Sequence, residues 1–158
     1  MLYMCFHIGE LRYALQARSV ASVIPRVPLQ PCAELNTTQT GSLLFKQQLL
    51  PVFDLCQILR HQPAEAALST RILILTDDQD ARLLCGIIVE QATGTIRLDK
   101  LPDTLTQNSR SGSLTETVQT RSGETIQLIK LPQLMEMLLN TTIVQHNINN
   151  NIQTGTIR

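Results

Sequence analysis

The side chains able to do chemistry are few and far apart. His7 falls in an apolar, strand-like run, His61 in a linker and His146 in a polar tail. A zinc centre needs several ligands at short spacing, and none of the three has a second ligand placed to supply it. Cys5, Cys32, Cys56 and Cys85 form no CxxC pair and each has apolar neighbours. That pattern predicts small buried thiols in a reducing compartment, not a disulfide framework or a zinc site. Asp77, Asp78 and Asp80 cluster in DDQD. A calcium loop would need Gly at its sixth position and Glu at its twelfth, and this stretch has neither, so it reads as a solvated hairpin tip. There is no GxSxG, HExxH, Walker loop or GxGxxG, and no nucleophile stands beside a base in sequence. The expectation is a binding module without catalytic activity, cofactor or metal.

Composition narrows the partner. The chain has 158 residues, of which 43% are hydrophobic and 16% charged. That length suits one domain, or two small subdomains sharing a core. Lys plus Arg equals Asp plus Glu at 13 each, so no net charge draws the chain to a phosphate polymer. Aromatics are 3% with no Trp, which leaves no stacking platform for single strands. No apolar run is long enough to span a bilayer. The start, MLYMCFHIGELRY, lacks the basic, apolar and small-residue regions of a signal peptide.

The elements that would position a binding surface are short. LYMCFHI and LRYAL flank Gly9-Glu10 and predict a hairpin. In QARSVASVI, Val20, Val23 and Ile24 recur at i, i+3, i+4, one turn of apolar helix face stopped by Pro25, which reads as a short helix or turn that delivers a strand. PRVPLQPC is extended because of its prolines, and residues 37–41 form a loop. SLLF and LLPVFDL are two strands about a KQQ turn, and residues 56–62 give one weak helical turn. Residues 62–70 are a small-residue linker. RILILT, ARLLCGIIVEQA (with Gly86 at a bulge or close approach) and GTIRL are further strands. Residues 99–113 are loop-like, LTETVQTR and TIQLIKL form a hairpin about SGE, and LPQLMEMLL is the best helix. The tail, residues 140–158, is rich in Asn, Thr and Gln and is read as disordered. The sum is an all-β barrel or sandwich of about ten short strands.

GSLLFKQQLLPVFDL is similar to the signature of CheW-like adaptor domains, the chemotaxis coupling proteins. Gly41, Leu43, Pro51, Val52, Asp54 and Leu55 fall on the family pattern in register. LYMCFHIGELRYALQARSVASVI resembles the family's opening, RILILT with LLCGIIVEQATGTIRL its central segment, and SGETIQLIKLPQLMEMLL its close. The resemblance spans residues 2–139. It departs where the family's Arg-Gly is Lys46-Gln47, its Val-Asp is Val89-Glu90 and its next Val is Ala92. Lysine keeps the charge of arginine without its planar fork. Gln47 in place of glycine predicts a different turn, because glycine adopts positive φ cheaply.

The resemblance implies two small five-stranded SH3-like barrels sharing an apolar seam, with short helices and a C-terminal helix. It implies a non-catalytic scaffold that links the cytoplasmic hairpin tip of a chemoreceptor to the regulatory domain of a CheA-type histidine kinase. Such a protein is cytoplasmic, recruited to membrane-associated arrays, and a monomer or weakly self-associating. Apolar anchors in a groove would receive a helical hairpin, which makes Val20, Val23, Ile24, Leu44 and Lys46 the candidates for the receptor. Gly86, Ile87, Val89 and Glu90 are the candidates for the kinase. Gly41, Pro51 and Asp54 are the structural motif, Asp54 as a cap on the following turn. The alternatives are a protein-interaction module in another signalling system or a small-barrel nucleic-acid binder, the latter opposed by neutral charge and scarce aromatics.

Overall fold

The structure, a computed structural model, describes residues 1–32, 38–98 and 113–138. Most of the predicted loop at 99–113, the end of the last helix at Leu139 and the tail at 140–158 with His146 lie outside the described residues. Among the described residues nine strands carry the fold: β1 Leu2–Ile8, β2 Leu11–Gln16, β3 Val20–Pro25, β4 Gln39–Phe45, β5 Gln48–Asp54, β6 Arg71–Thr76, β7 Leu83–Arg97, β8 Thr115–Gln119 and β9 Thr125–Ile129. Helix α1 is Leu55–Arg60, and a second helix, α2, covers residues 131–138. None of the described helices is long and apolar enough to cross a membrane.

The strands form two five-stranded units that share β7. In the first unit the order is β3-β6-β7-β5-β4. The chain after β3 returns to β4, where Gln30 N–H donates to Ser42 O at 2.8 Å and Ser42 N–H to Gln30 O at 2.9 Å. Gly41 makes this approach possible. A Cβ there would lie 2.8 Å from Gln30 O and 2.8 Å from Leu29 Cβ. In the second unit the order is β7-β1-β2-β9-β8, with β2 and β9 parallel. The first half of β7 pairs with β5 and β6, the second half with β1.

The larger apolar cluster joins the units. It takes Phe6, Ile8 and Leu15 from β1 and β2, Val52 and Phe53 from β5, Ile72 to Leu75 from β6, and Leu134 and Leu138 from α2. Both faces of β6 are covered, which is why RILIL reads as a continuous apolar run and not as an alternation. A smaller cluster, Cys5, Ala14, Val118, Ile126 and Leu128, fills the second unit. Phe6 and Tyr13 stack across the β1–β2 pair, with centroids 6.2 Å apart.

Three expectations are corrected. The expected short helix or turn that delivers a strand is a 3-10 turn at Ala17–Ser19, but Val20, Val23 and Ile24 lie in the strand that follows, β3, and not on a helix face. β-Branched side chains favour that outcome, since their χ1 is restricted in a helix and packs well on a pleated surface. The separate strands at 81–92 and 94–98 are one strand of 15 residues. Residues 39–41 belong to β4, not to a loop.

The turn between β4 and β5 is two residues long, and both take positive φ, Lys46 at 48° and Gln47 at 64°. These are the signs demanded by the tight hairpin turn that matches strand twist. Gln47 thus takes a positive φ that glycine would adopt cheaply. The turn carries strain that glycine would not, about 1 kcal/mol for a residue held in the left-handed region. Gln47→Gly is expected to raise stability by about 0.5–1 kcal/mol, read from the midpoint of urea unfolding. A lower midpoint would show that Gln47 makes a contact worth more than its backbone strain.

Candidate functional site

The β4–β5 hairpin presents an apolar surface to solvent. Its two-residue turn sets the register, so Leu44 stands directly opposite Leu49 and Leu43 opposite Leu50. The second pair faces the core, with Leu50 1% exposed. The first faces out, with Leu44 62% and Leu49 55% exposed. Lys46 sits at the tip, exposed, its ammonium 5.5 Å from the centroid of the Phe45 ring. Pairing of β5 with β7 begins only at Val52, so Pro51 and the residues before it project beyond that pairing. A proline fits there because no ladder partner needs its missing N–H.

Of the five residues expected to meet a receptor, Val23 (37% exposed), Leu44 and Lys46 are accessible. Val20 and Ile24 are half-buried and pack against the large core cluster, because alternate residues of a strand face opposite ways. The four residues expected to meet a kinase are not a surface. Gly86, Ile87 and Val89 are buried at the centre of the first unit. A Cβ on Gly86 would lie 3.0 Å from Ile72 Cγ2 and 3.3 Å from Val52 Cγ2, so the glycine serves a close approach and not a bulge.

Glu90, 9% exposed, turns inward as well. Its Oε1 accepts from Gly9 N–H at 3.1 Å and from the Cys56 thiol at 3.4 Å, and its Oε2 accepts from Glu65 N–H at 3.3 Å. Burial alone would raise its pKa. The Gly9 and Glu65 amides, the Cys56 thiol and the Arg60 guanidinium outweigh burial and hold it below the ordinary carboxylate value. Burial, reinforced by the Glu90 charge, pushes the Cys56 thiol up to about 12, and burial pushes Cys85 up to about 12. Thiols held this far into the protonated range are poor nucleophiles.

Asp54 is the cap on α1. Its Oδ1 accepts from Cys56 N–H at 3.0 Å and Gln57 N–H at 3.2 Å, and its Oδ2 accepts from Ala64 N–H at 2.9 Å. One carboxylate thus closes the helix N-terminus and pins the chain beyond the helix.

A cleft of about 740 Å3 opens between the units. Leu15, Leu84, Leu131 and Met135 give it an apolar lining, and Arg18, Arg82, Lys130, Asp78 and Glu116 give it both signs of charge. Arg18 Nε lies 3.1 Å from Asp78 Oδ2. The sequence reading missed both this cleft and Leu49. The cleft needs residues from five separate stretches of the chain. Leu49 was legible, since a two-residue turn places it across from Leu44. Among the described residues no group of three or more His, Cys, Asp or Glu side chains could hold a metal ion.

Two five-stranded units around one strand and one apolar seam define a scaffold of the chemotaxis-coupling class. The chain belongs to the CheW-like domain family, which matches residues 2–138, and this is a family of non-catalytic scaffold proteins. Among solved structures, it is similar to the scaffolding protein TtCheW from Thermoanaerobacter tengcongensis, with TM-score 0.64 and 20% identity over 82% of this chain and 84% of that one. That likeness is one of fold. No curated protein matches the chain.

Proposed function

We propose that this chain couples the cytoplasmic hairpin tip of a chemoreceptor to the regulatory domain of a CheA-type histidine kinase at receptor arrays. The observation that carries the reading is the presence, on a scaffold-family fold, of two accessible apolar surfaces of different shape. The cleft is concave and large enough for apolar side chains from a helical segment, with charges beside them. It begins at Arg18 and Ser19, next to β3, and is assigned to the receptor. The Leu44–Leu49 pair is convex and cannot enclose a helix. It suits a flat contact with another small barrel, so on this reading Leu44 and Lys46, expected above to meet the receptor, are reassigned to the kinase domain. Residues 2–139 form the adaptor on this reading, and 140–158 an appended tail.

The test is a pair of variants on exposed positions. Leu44→Asp combined with Lys46→Glu is expected to weaken binding of the kinase regulatory domain at least about tenfold, because truncating a central apolar anchor typically costs more than 1 kcal/mol. Binding of a receptor-tip fragment is expected to stay unchanged. Pro132→Asp puts an acidic residue in the first turn of α2, which a helix tolerates, and is expected to weaken the receptor and spare the kinase. Titration calorimetry reads both affinities. Unchanged affinities in folded variants would remove the assignments.

A further inference from the structure

Glu90 stands where β7 passes from one unit to the other. Before it, β7 pairs with β5 and β6; after it, with β1. Pairing with β1 runs from His7–Glu90 to Cys5–Gly94, so β7 carries two more residues than β1 across the break. Gln91, the first of the extra residues, takes φ of 48°. A bulge of this kind bends a strand and concentrates twist. The ladder is broken there, so the bend is held by the apolar cluster that the units share and by polar contacts made across it.

The Glu90 carboxylate supplies what the ladder lacks. Gly9 belongs to the turn between β1 and β2, in the second unit. Cys56 lies in α1 and Glu65 in the chain beyond it, both following β5 of the first unit. One side chain at the bend therefore holds a donor from one unit and two from the other. Arg60, from the last turn of α1, lies against the same turn: a Cβ on Gly9 would be 2.3 Å from its Cζ. Within the bulge, Ala92 N–H donates to Ser69 O at 3.1 Å.

We propose that the Glu90 carboxylate is a latch that sets the angle between the two five-stranded units by tying the β1–β2 turn to α1 and its following segment across the β7 bulge. Glutamate is rarely buried unless its charge is met. Here it is met by groups from three segments, so those segments must be in place together. Removing the carboxylate leaves the amides of Gly9 and Glu65 without their acceptor while the strands of each unit keep their own ladders. The shared apolar cluster would then hold the units without this polar tie, so the two surfaces assigned above would keep a looser mutual orientation, although the latch itself does not depend on what binds them.

Amide residual dipolar couplings and hydrogen exchange on the full chain test this. In the wild-type protein one alignment tensor is expected to fit β6 and β9 together. In Glu90→Ala, two tensors are expected, with exchange at Gly9 and Glu65 at least tenfold faster and protection of β6 unchanged. Glu90→Gln keeps one acceptor oxygen, and is expected to speed exchange at only one of the two amides. Gln91→Gly leaves the carboxylate in place and is expected to keep one tensor. A single tensor in Glu90→Ala would overturn the proposal, as would two tensors in Gln91→Gly. Loss of β6 protection in both Glu90 variants would make Glu90 a core group of the whole fold and not a latch.

Discussion

Asp54→Ala is expected to destabilise the protein by about 3 kcal/mol, which sums a lost helix cap and a buried amide left without an acceptor. Asp54 is 3% exposed, so water cannot readily replace the carboxylate. Two of its bonds cap α1, and the third holds Ala64, four residues beyond that helix. The expected fall in Tm is about 6–12 °C for a chain of this size. Asp54→Asn keeps one carbonyl acceptor and is expected to lose about half as much. Differential scanning calorimetry distinguishes the two. Equal Tm values for the wild-type and alanine proteins would mean that the cap bonds contribute nothing net, and that Asp54 sits in the family signature for another reason.

Gly86→Val is expected to cost about 3 kcal/mol through overpacking. The first added carbon already meets Ile72 at 3.0 Å and Val52 at 3.3 Å, with Ile74 at 3.6 Å, and two more methyl groups must then be fitted among these buried side chains. Gly94 lies in the same strand, and a Cβ there meets nothing within 4 Å. Gly94→Val is therefore expected to change stability by less than about 0.5 kcal/mol. The contrast separates crowding from any general effect of replacing glycine in β7. It also settles what kind of residue Gly86 is. Full stability with impaired partner binding would return Gly86 to a contact surface, whereas loss of stability keeps it in the core.

What the sequence made legible follows the physics of short strands. Alternation, glycine turns and the polar KQQ turn pointed to the elements, and the ordered resemblance pointed to the two-unit fold. The helix at 131–138 was legible from its apolar face. β3 was misread because Val20, Val23 and Ile24 satisfy a helical spacing, while the actual pattern has Val20, Ser22 and Ile24 on the inward side with a register shift between the first two. β7 was divided in two because Thr93-Gly94 resembles a turn. A bulge at Gln91 instead lets one strand serve both units.

The candidate site was less legible for a different reason. GIIVE reads equally as an apolar binding face and as a strand covered on both sides, and only the positions of β5 and β6 decide. Glu90 reads as a solvent-facing charge, since carboxylates are seldom buried. Its three donors come from Gly9, Cys56 and Glu65, and their convergence has no signature in one dimension. Leu44 and Lys46 were legible as accessible residues from the hairpin about the polar turn, whereas Val23 was chosen on a helical spacing that the strand does not have, and is accessible because it lies on the outward side of β3.

The central claim is that one chain engages two partners at once through separate surfaces. Sedimentation velocity of the full chain with a chemoreceptor tip fragment and the regulatory domain of a CheA-type kinase, all from the same cell, tests it most directly. The account predicts a ternary complex, larger than either binary one and formed in either order of addition. Displacement of one partner by the other, or binding of neither, would contradict it.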